Sequence, residues 1–276
     1  MKKYVTFALS AISLLSISGL ASCSGSKKTI YVGTMSQPGE PILKHIEKEY
    51  EDKTGYNLEI QLFTDFATPN NALAQGEIQA NLFQHKPFLD TYNENNKTDL
   101  ASAAIMYDCA YGGYSKKISN LSDLPEGAKI TIANDGSNMK RCLDILDAEG
   151  LIKVDYGTTA TADLNPDTVN SYIVENSKNL VISPIATNLI AASLDEKDVY
   201  IGIVNATFAI NAGLGSSSNL VCQEQDPTHK NANILACKTE DLKEDWLTAL
   251  VEVLTSKETD AFITSTFGST ITPYHG

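Results

Sequence analysis

The side chains that could do chemistry in this chain are few and scattered. Its four histidines are His45, His85, His229 and His275. They form no close pair and no HExxH motif, and no GxSxG, P-loop or Cys-x-x-Cys motif occurs. Without a nucleophile and its base, a metal cluster or a phosphate loop, the sequence favours a binding protein over an enzyme and predicts no cofactor or metal. An enzyme with scattered catalytic residues is the alternative.

The N-terminus has the features of an export signal. Two lysines, Lys2 and Lys3, precede an apolar run from Val5 to Leu20, and small residues follow it. This order is typical of a secretory signal, and the run is shorter than the ~20 strongly apolar residues of a spanning helix. We therefore expect residues 1–22 to be a signal peptide, with an uncleaved N-terminal anchor as the alternative.

The residues that end this run indicate a lipid anchor. Leu20-Ala21-Ser22-Cys23 resembles the bacterial lipobox, in which signal peptidase II cuts before the cysteine and the thiol carries a diacylglyceryl group. Cleavage there would leave 276 − 22 = 254 residues. Residues 23–28 would then form a flexible, lipidated tether, with acyl chains such as palmitate on Cys23. The sequence thus predicts a lipoprotein on the extracytoplasmic face of the cell membrane.

Four further cysteines lie in the body of the chain: Cys109, Cys142, Cys222 and Cys237. An exported protein can oxidise its thiols, and Cys222 and Cys237 flank a stretch that could bring two strands together. A disulfide between these two residues is one prediction, and four buried thiols are the other.

Composition argues against nucleic acid as a partner. The chain has 34 acidic and 21 basic residues, and its formal charge of −13 has the wrong sign for binding phosphates. With 42% hydrophobic residues the chain can bury a core. Its 276 residues suit two domains of about 100 to 150 residues each, and one long domain is the alternative.

Short apolar strands alternate with amphipathic helices, which predicts an α/β fold with a mostly parallel sheet. The first zone has helices near 41–50, 71–75 and 87–92 and strands near 29–33, 58–63 and 80–83. The pattern restarts with helices near 138–149 and 185–194 and strands near 129–133, 180–182 and 199–204. The last part has helices near 246–254 and 261–267 and strands near 219–222 and 233–237.

No internal repeat or long proline-rich linker separates these zones. We therefore expect the chain to cross more than once between two lobes and to leave a cleft, where small-molecule sites tend to form. The predicted division assigns residues 29–108 and 206–276 to lobe 1 and residues 109–205 to lobe 2.

One segment is more specific than these patterns. Phe66 to Leu89 reads FATPNNALAQGEIQANLFQHKPFL, which resembles the PNxALxxGEIDANxFQHxPYL signature of the methionine-binding lipoproteins of the NlpA/MetQ family. Other segments that resemble this family are 113–118, 124–129, 134–138, 174–180 and 204–209. The resemblance implies a two-lobed periplasmic-binding-protein fold, similar to type II, with a ligand cleft between the lobes. It also implies that an amino acid is delivered to an ABC permease and its ATPase.

The resemblance implies two residues for the polar groups of the ligand. Arg141 matches the arginine of the family's PNDxxNxxR pattern, and a guanidinium can bind a carboxylate with two parallel hydrogen bonds. It lies near the start of a helix, whose free N–H groups also favour an anion. Asn205 follows a strand, and its amide can donate to a carboxylate and accept from an ammonium. A surface arginine and a helix-capping asparagine are the structural alternatives.

Phe66, Phe83 and His85 are the candidates for the pocket that receives the ligand's side chain. A thioether packs favourably on aromatic rings, at about 0.3 to 1.5 kcal/mol per contact. By periodicity Phe83 would be core and His85 would begin a helix, whereas the resemblance places both at the cleft. Asn81 and Asn138 are weaker polar candidates.

The chain departs from the family in two places. Ser183 to Ala192 replaces a run that carries two glutamates and an arginine in the family, and Asp108 to Gly112 lacks the usual proline. A lost contact to the ammonium would weaken methionine binding or change the ligand. We therefore expect a receptor for L-methionine, a related amino acid or a methionine-containing dipeptide. A surface adhesion or immune-facing lipoprotein with a decayed ligand site is the alternative.

Overall fold

The computed structural model describes residues 27–214 and 219–276, so the predicted signal peptide and Cys23 lie outside the described residues. Within these ranges the chain forms two larger sheets and a two-stranded ribbon. No helix in the same ranges combines the length and the apolar character needed to cross a membrane.

The N-terminal part alternates strands and helices as predicted. In chain order it comprises β1 (Thr29–Met35), α1 (Gly39–Thr54), β2 (Asn57–Phe63), α2 (Pro69–Gln75), β3 (Ala80–His85), α3 (Lys86–Asn96) and β4 (Leu100–Cys109). β4 is a strand that the sequence pattern did not predict, because small residues fill most of its first half.

The middle part repeats this alternation. It comprises β5 (Tyr111–Tyr114), β6 (Lys129–Ala133), α4 (Gly136–Ala148), β7 (Lys153–Val154), β8 (Ile173–Glu175), β9 (Val181–Ile185), α5 (Thr187–Ser193), β10 (Val199–Asn205), α6 (Ala206–Asn211) and β11 (Leu220–Gln223). Short 3-10 turns lie at Leu121–Asp123, Thr161–Asp163 and Pro166–Tyr172.

The C-terminal part returns to the first sheet. It comprises β12 (Asn233–Lys238), a 3-10 turn (Thr239–Asp241), α7 (Asp245–Leu254), α8 (Lys257–Phe267) and β13 (Ile271–Pro273). The strand order is β13-β4-β12-β3-β1-β2 in the six-stranded sheet and β11-β5-β10-β6-β9 in the five-stranded sheet, while β7 and β8 form the ribbon. We call these two larger sheets, with their helices, lobe 1 and lobe 2.

The sheets are mixed, which corrects the prediction of a mostly parallel sheet. β1 is parallel to β2 and β3, and β6 is parallel to β9 and β10. In contrast, β12 is antiparallel to β3 and β4, and β5 is antiparallel to β10 and β11. β13 is also antiparallel to β4. The direction of a strand in the sheet depends on long-range pairing, which local periodicity does not show.

The second boundary between the lobes lies later in the chain than the sequence predicts. The sequence predicts a return to lobe 1 at residue 206, but β11 still pairs with β5 in lobe 2. The chain therefore crosses between lobes at 109–111 and again after Gln223. The crossings lie side by side, because the Glu224 N–H donates to the Tyr111 carbonyl at 2.9 Å. We call residues 109–111 and 223–225 the hinge.

Two glycines allow β11 to pack this closely on β5. A Cβ atom on Gly113 would lie 2.4 Å from the Cys222 Sγ, and one on Gly112 would lie 2.6 Å from a methyl carbon of Leu220. Any side chain at these positions would therefore push β11 away.

All four cysteines in the described ranges are free and buried. Cys222 lies in lobe 2 and Cys237 in lobe 1, so the predicted disulfide between them is wrong. The prediction assumed that their strands pair, and they do not. Burial raises the pKa of both thiols to about 12, which keeps them protonated at neutral pH.

The local sequence explains the elements that reach the cleft. Ile42, Leu43, Ile46 and Tyr50 of α1 recur at helical spacing and pack in the core of lobe 1. β3 is buried along its whole length because it lies between β1 and β12. Its carboxyl end is thereby fixed, and it delivers side chains to the space between the lobes.

Candidate ligand-binding site

Four phenylalanine rings meet between the lobes. The Phe66 centroid lies 5.7 Å from that of Phe83, 6.0 Å from that of Phe88 and 5.1 Å from that of Phe208. Phe83 and Phe88 are 5.9 Å apart and nearly perpendicular, at 81°. Tilted and edge-on pairs are the favoured aromatic geometries. Together the rings make an apolar wall from β3, α3, α6 and the loop after β2.

Three of these rings, Phe66, Phe83 and Phe88, border a pocket with about 250 Å³ of space, including its opening to solvent, which we call the aromatic pocket. Its lining residues are Phe66, Phe83, Gln84, His85, Phe88, Cys109, Asn138, Arg141, Asn205 and Asn233. The structure therefore brings together Phe66, Phe83, His85, Asn138, Arg141 and Asn205, which the sequence had placed at the ligand site.

His85 and Asn138 join the two lobes across this pocket. The His85 Nδ1 accepts a hydrogen bond from the Phe88 N–H at 3.2 Å, so the proton lies on Nε2, which donates to the Asn138 Oδ1 at 2.9 Å. Burial and then the nearby charge of Arg141 lower the pKa of His85 to about 3. His85 is thus a neutral donor at physiological pH.

Asp135 fixes the position of Asn138 by two hydrogen bonds. It caps α4 by accepting from the Asn138 N–H at 2.9 Å, and its second oxygen accepts from the Asn138 Nδ2 at 3.0 Å. Burial raises the pKa of Asp135, although these hydrogen bonds oppose the shift. The cap orients the Asn138 amide so that its oxygen faces His85.

Arg141 is the only arginine in the chain, and only 6% of its surface is exposed. Its Nε donates to the Glu224 Oε1 at 2.8 Å, and its Nη2 donates to the Glu224 Oε2. The same Nη2 donates to the Cys109 carbonyl at 3.3 Å. The guanidinium carbon lies 4.4 Å from the centre of the Tyr111 ring, a cation–π contact. Arg141 is therefore held by both crossings of the hinge.

Glu224 stabilises the protonated form of Arg141. Burial alone would lower the pKa of Arg141, but the hydrogen bonds and the charge of Glu224 outweigh burial and raise that pKa. No partner for the Arg141 Nη1 is found among residues 27–214 and 219–276. The Nη1 donors are thus the part of the guanidinium that a ligand could use.

A second, polar cavity adjoins the aromatic pocket at Arg141. It has about 550 Å³ of space, including its opening to solvent, and we call it the hinge cavity. It shares Cys109 and Arg141 with the aromatic pocket, and its other lining residues are Asp108, Ala110, Gln223, Glu224, Asp226, His229, Asn231, Ser269, Thr270 and Thr272. In the described part of the chain, no cluster of three or more His, Cys, Asp or Glu side chains has a geometry that could hold a metal.

Asn205 caps a helix and also faces the aromatic pocket. Its Oδ1 accepts from the Phe208 N–H at 3.3 Å and caps α6, while the residue also lines the aromatic pocket. Asn81 is different and corrects the prediction. It donates to Asn70 at 2.9 Å and accepts from Gln84 at 2.8 Å in a buried amide cluster, and it does not line the pocket.

The divergent run at 183–192 stays outside the aromatic pocket. Its residues end β9 and form most of α5, and none of them lines the pocket. One contact with lobe 1 is the Asn188 Nδ2, which donates to the Thr64 carbonyl at 3.4 Å. The other divergent stretch does reach the site, since Cys109 lines both cavities.

Some residues of the site were not predicted. Phe88 lies inside the family-like segment and one turn after His85 on α3, so the sequence could have predicted that it lines the site. Glu224 and Asn231 gave no such signal. Glu224 follows a four-residue strand, and its partner Arg141 is 83 residues earlier in the chain.

Comparison with known proteins extends these findings. The sequence model of the NlpA lipoprotein family matches residues 30–275. Outer membrane lipoprotein 1 of Mannheimia haemolytica is 35% identical over 229 residues, which cover 77% of this chain and 79% of that protein. The methionine-binding lipoprotein MetQ of Bacillus subtilis is 31% identical over an alignment of 281 residues that covers 99% of each chain.

A solved structure matches both lobes. It is a nutrient binding protein from Burkholderia cenocepacia bound to methionine, with a TM-score of 0.82 and 32% identity, covering 88% of this chain and 99% of that one. The predicted two-lobed periplasmic-binding-protein fold is therefore confirmed. From the family match and these relatives, the chain belongs to the NlpA lipoprotein family.

Proposed function

We propose that this protein is the substrate-binding protein of an ABC importer. It binds L-methionine or a closely related methionine compound between its lobes and delivers it to a permease that is driven by an ATPase. The observation that carries this proposal is the aromatic pocket with the buried Arg141 on its wall. Relatives named for methionine binding and the solved methionine complex support the ligand class.

The aromatic pocket offers a partner for each part of methionine. Phe66, Phe83 and Phe88 provide ring surfaces for a thioether, at about 0.3 to 1.5 kcal/mol per contact. The Arg141 Nη1 and the Asn205 Nδ2 are donors for the carboxylate. The lining contains no carboxylate, so the ammonium would meet neutral acceptors such as the amide oxygen of Asn233.

Ligand entry requires the lobes to separate. The His85 to Asn138 hydrogen bond joins the two lobes across the pocket, so the present arrangement would shield a bound ligand from water. Contacts from both lobes to one ligand would select this closed form over an open one.

Calorimetric titration tests the ligand. The full chain would be solubilised in detergent, freed of bound ligand by unfolding, refolded, and titrated with L-methionine, D-methionine and methionine-containing dipeptides. Binding of at least one of these compounds, with L-leucine as a weaker control, is the expected result. Failure of all of them to bind would refute a methionine receptor.

Attachment to the membrane through lipid on Cys23 is a separate part of the proposal. Cells grown with labelled palmitate should label the wild-type protein and retain it in the membrane fraction. Cys23→Ser should lose both the label and the attachment, while the neighbouring Ser24→Ala should retain both. A Cys23→Ser protein that is still labelled would contradict the assignment.

Delivery to an importer is tested in cells. Deletion of the gene should lower the uptake of the bound compound at low external concentration, and the wild-type gene should restore it. Uptake that is unchanged by the deletion would count against a transport role while leaving the binding result intact.

A further inference from the structure

Arg141 already has a carboxylate partner, and the protein itself supplies it. Glu224 contacts the guanidinium with both oxygens, Oε1 at 2.8 Å from Nε and Oε2 beside Nη2. The two side chains are only 7% and 10% exposed. A buried bidentate pair of this kind is a strong, charge-assisted contact. It cancels the positive charge of Arg141, the one residue of permanent charge on the wall of the aromatic pocket.

Glu224 is fixed from both sides of the hinge. Its Oε1 also accepts from the Asn231 Nδ2 at 2.9 Å, and its Oε2 accepts from the Tyr111 N–H at 3.3 Å. Tyr111 is the last residue of the first crossing, and Asn231 lies in the segment that returns to lobe 1. Because each carboxylate oxygen has two donors, Glu224 is well anchored beside Arg141.

The two members of the pair face different spaces. Arg141 lines both cavities, whereas Glu224 lines the hinge cavity and not the aromatic pocket. A ligand in the aromatic pocket would therefore meet the guanidinium but not Glu224. With Nε and Nη2 engaged, Nη1 is the donor left for that ligand.

We propose that Glu224 is a specificity-determining residue, which holds one edge of Arg141 and neutralises it so that the site selects ligands of zero net charge over anions. This inference rests on the proposed function. A zwitterion adds no net charge to the buried pair. A ligand with a carboxylate and no ammonium instead leaves two negative groups around one guanidinium, which is costly in a buried site.

The first experiment measures charge selectivity by calorimetry. L-methionine is compared with N-acetyl-L-methionine, which keeps the side chain and the carboxylate but has a net charge of about −1 at neutral pH. In Glu224→Gln, the ratio of the two Kd values should shift by about tenfold or more in favour of the acetylated compound. A change in overall affinity does not affect this ratio.

Two control variants accompany this experiment. Glu224→Asp keeps the charge and should keep the wild-type preference. Glu149→Gln removes an exposed carboxylate at the end of α4 and controls for the net charge of the chain. If Glu224 only supported the fold, Glu224→Gln would weaken both ligands alike, and an unchanged ratio would overturn the proposal.

The second experiment needs no amino acid. Glu224→Ala removes the internal carboxylate and leaves space beside Arg141. Sodium formate should then raise the Tm of this variant by several degrees relative to sodium chloride at the same ionic strength, and it should not do so for wild type. Absence of this specific stabilisation would show that Arg141 does not recruit a carboxylate there, and would overturn the proposal.

The two experiments separate the two levels of inference. If wild type binds no methionine compound, the proposed function fails, and the formate result still decides whether Glu224 occupies a carboxylate site on Arg141. If Glu224→Ala does not fold, Glu224→Gln preserves the side-chain volume and keeps the selectivity measurement available.

Discussion

The two cavities that meet at Arg141 have contrasting walls. The aromatic pocket is lined by rings and amides, and its histidine is neutral. The hinge cavity is lined by hydroxyls, amides and the carboxylates of Asp108, Glu224 and Asp226. Each of these carboxylates already accepts hydrogen bonds from neighbouring side chains or backbone. The aromatic pocket therefore has surface left for a ligand, whereas the polar groups of the hinge cavity serve to hold the crossings together.

The choice of arginine at position 141 follows from this contrast. Apart from the four histidines, all other basic residues in the chain are lysines, which suffice for exposed pairs such as Lys86 with Asp90. An ammonium donates from a single nitrogen, so it lacks the two parallel N–H groups on separate nitrogens that hold Glu224. The planar fork of arginine can hold Glu224 and also present donors to the pocket, because its donors point in fixed and different directions.

The largest effect is expected from Arg141→Ala, which removes the residue that both cavities share. Methionine affinity should fall roughly a hundredfold because the carboxylate loses its charged partner. The free energy of unfolding should fall by about 3 to 5 kcal/mol because Glu224 stays buried without its cation. Calorimetry and urea denaturation measure these two quantities.

Lys140→Ala is the matched control for Arg141→Ala. Lys140 lies on the same helix, and its pair with Asp144 is partly exposed. The methionine Kd should change by about twofold or less. An equal loss of affinity in both variants would mean that Arg141 does not contact the ligand.

The next largest effect concerns pH and His85. Its pKa is about 3 in the folded protein, below the ordinary histidine pKa of about 6.5, so between these pH values the unfolded chain binds the extra proton. The stability due to neutral His85 is therefore complete above pH 6.5 and is lost as the pH falls towards 3. Between pH 7 and pH 5, the free energy of unfolding of wild type should fall by about 2 kcal/mol more than that of His85→Asn. In this variant the new amide can still cap α3.

Urea denaturation across that pH range measures the difference, and His45→Asn at an exposed position controls for the loss of one histidine. Parallel stability curves for wild type and His85→Asn would show that His85 is not held neutral by the fold.

A smaller effect is expected from Phe66→Leu, which keeps an apolar side chain but removes a ring. Methionine affinity should fall by about 0.3 to 1.5 kcal/mol, the value of a sulfur–aromatic contact. Norleucine, which has a methylene in place of sulfur, should lose less. Phe262→Leu is the control, because Phe262 stacks on His45 in lobe 1 and lines neither cavity. Equal losses for methionine and norleucine would exclude a role for sulfur.

The candidate ligand site was predictable where it depends on the ends of individual elements. Phe83 and His85 end β3, Asn205 ends β10, and Arg141 lies early in α4 after β6. In an α/β fold, ligands bind beyond the carboxyl ends of the strands, so residues at these positions converge. The resemblance added which of them face the cleft.

The features that the sequence did not predict depend on pairing between strands that are far apart in the chain. β11 is only four residues long, and it pairs with β5, which ends more than 100 residues earlier. That single pairing places Glu224 beside Arg141, moves the lobe boundary from residue 206, and separates Cys222 from Cys237. Asn81 was misplaced for a related reason, since its amide partners Asn70 and Gln84 become neighbours only when α2 packs on β3.

The smallest effect is expected from Asn188→Ala, in the run where the chain diverges most from its family. This run could set specificity only through the rim of the cleft, because none of its residues lines the aromatic pocket. Asn188 makes one long hydrogen bond to the Thr64 carbonyl at 3.4 Å. Its loss should change the methionine Kd by about threefold at most, measured by calorimetry beside the neighbouring Leu189→Ala. A larger change, or a reversed preference between methionine and leucine, would show that the rim determines ligand specificity and that the aromatic pocket does not. A small change would confine the origin of specificity to the rings and to the Arg141–Glu224 pair.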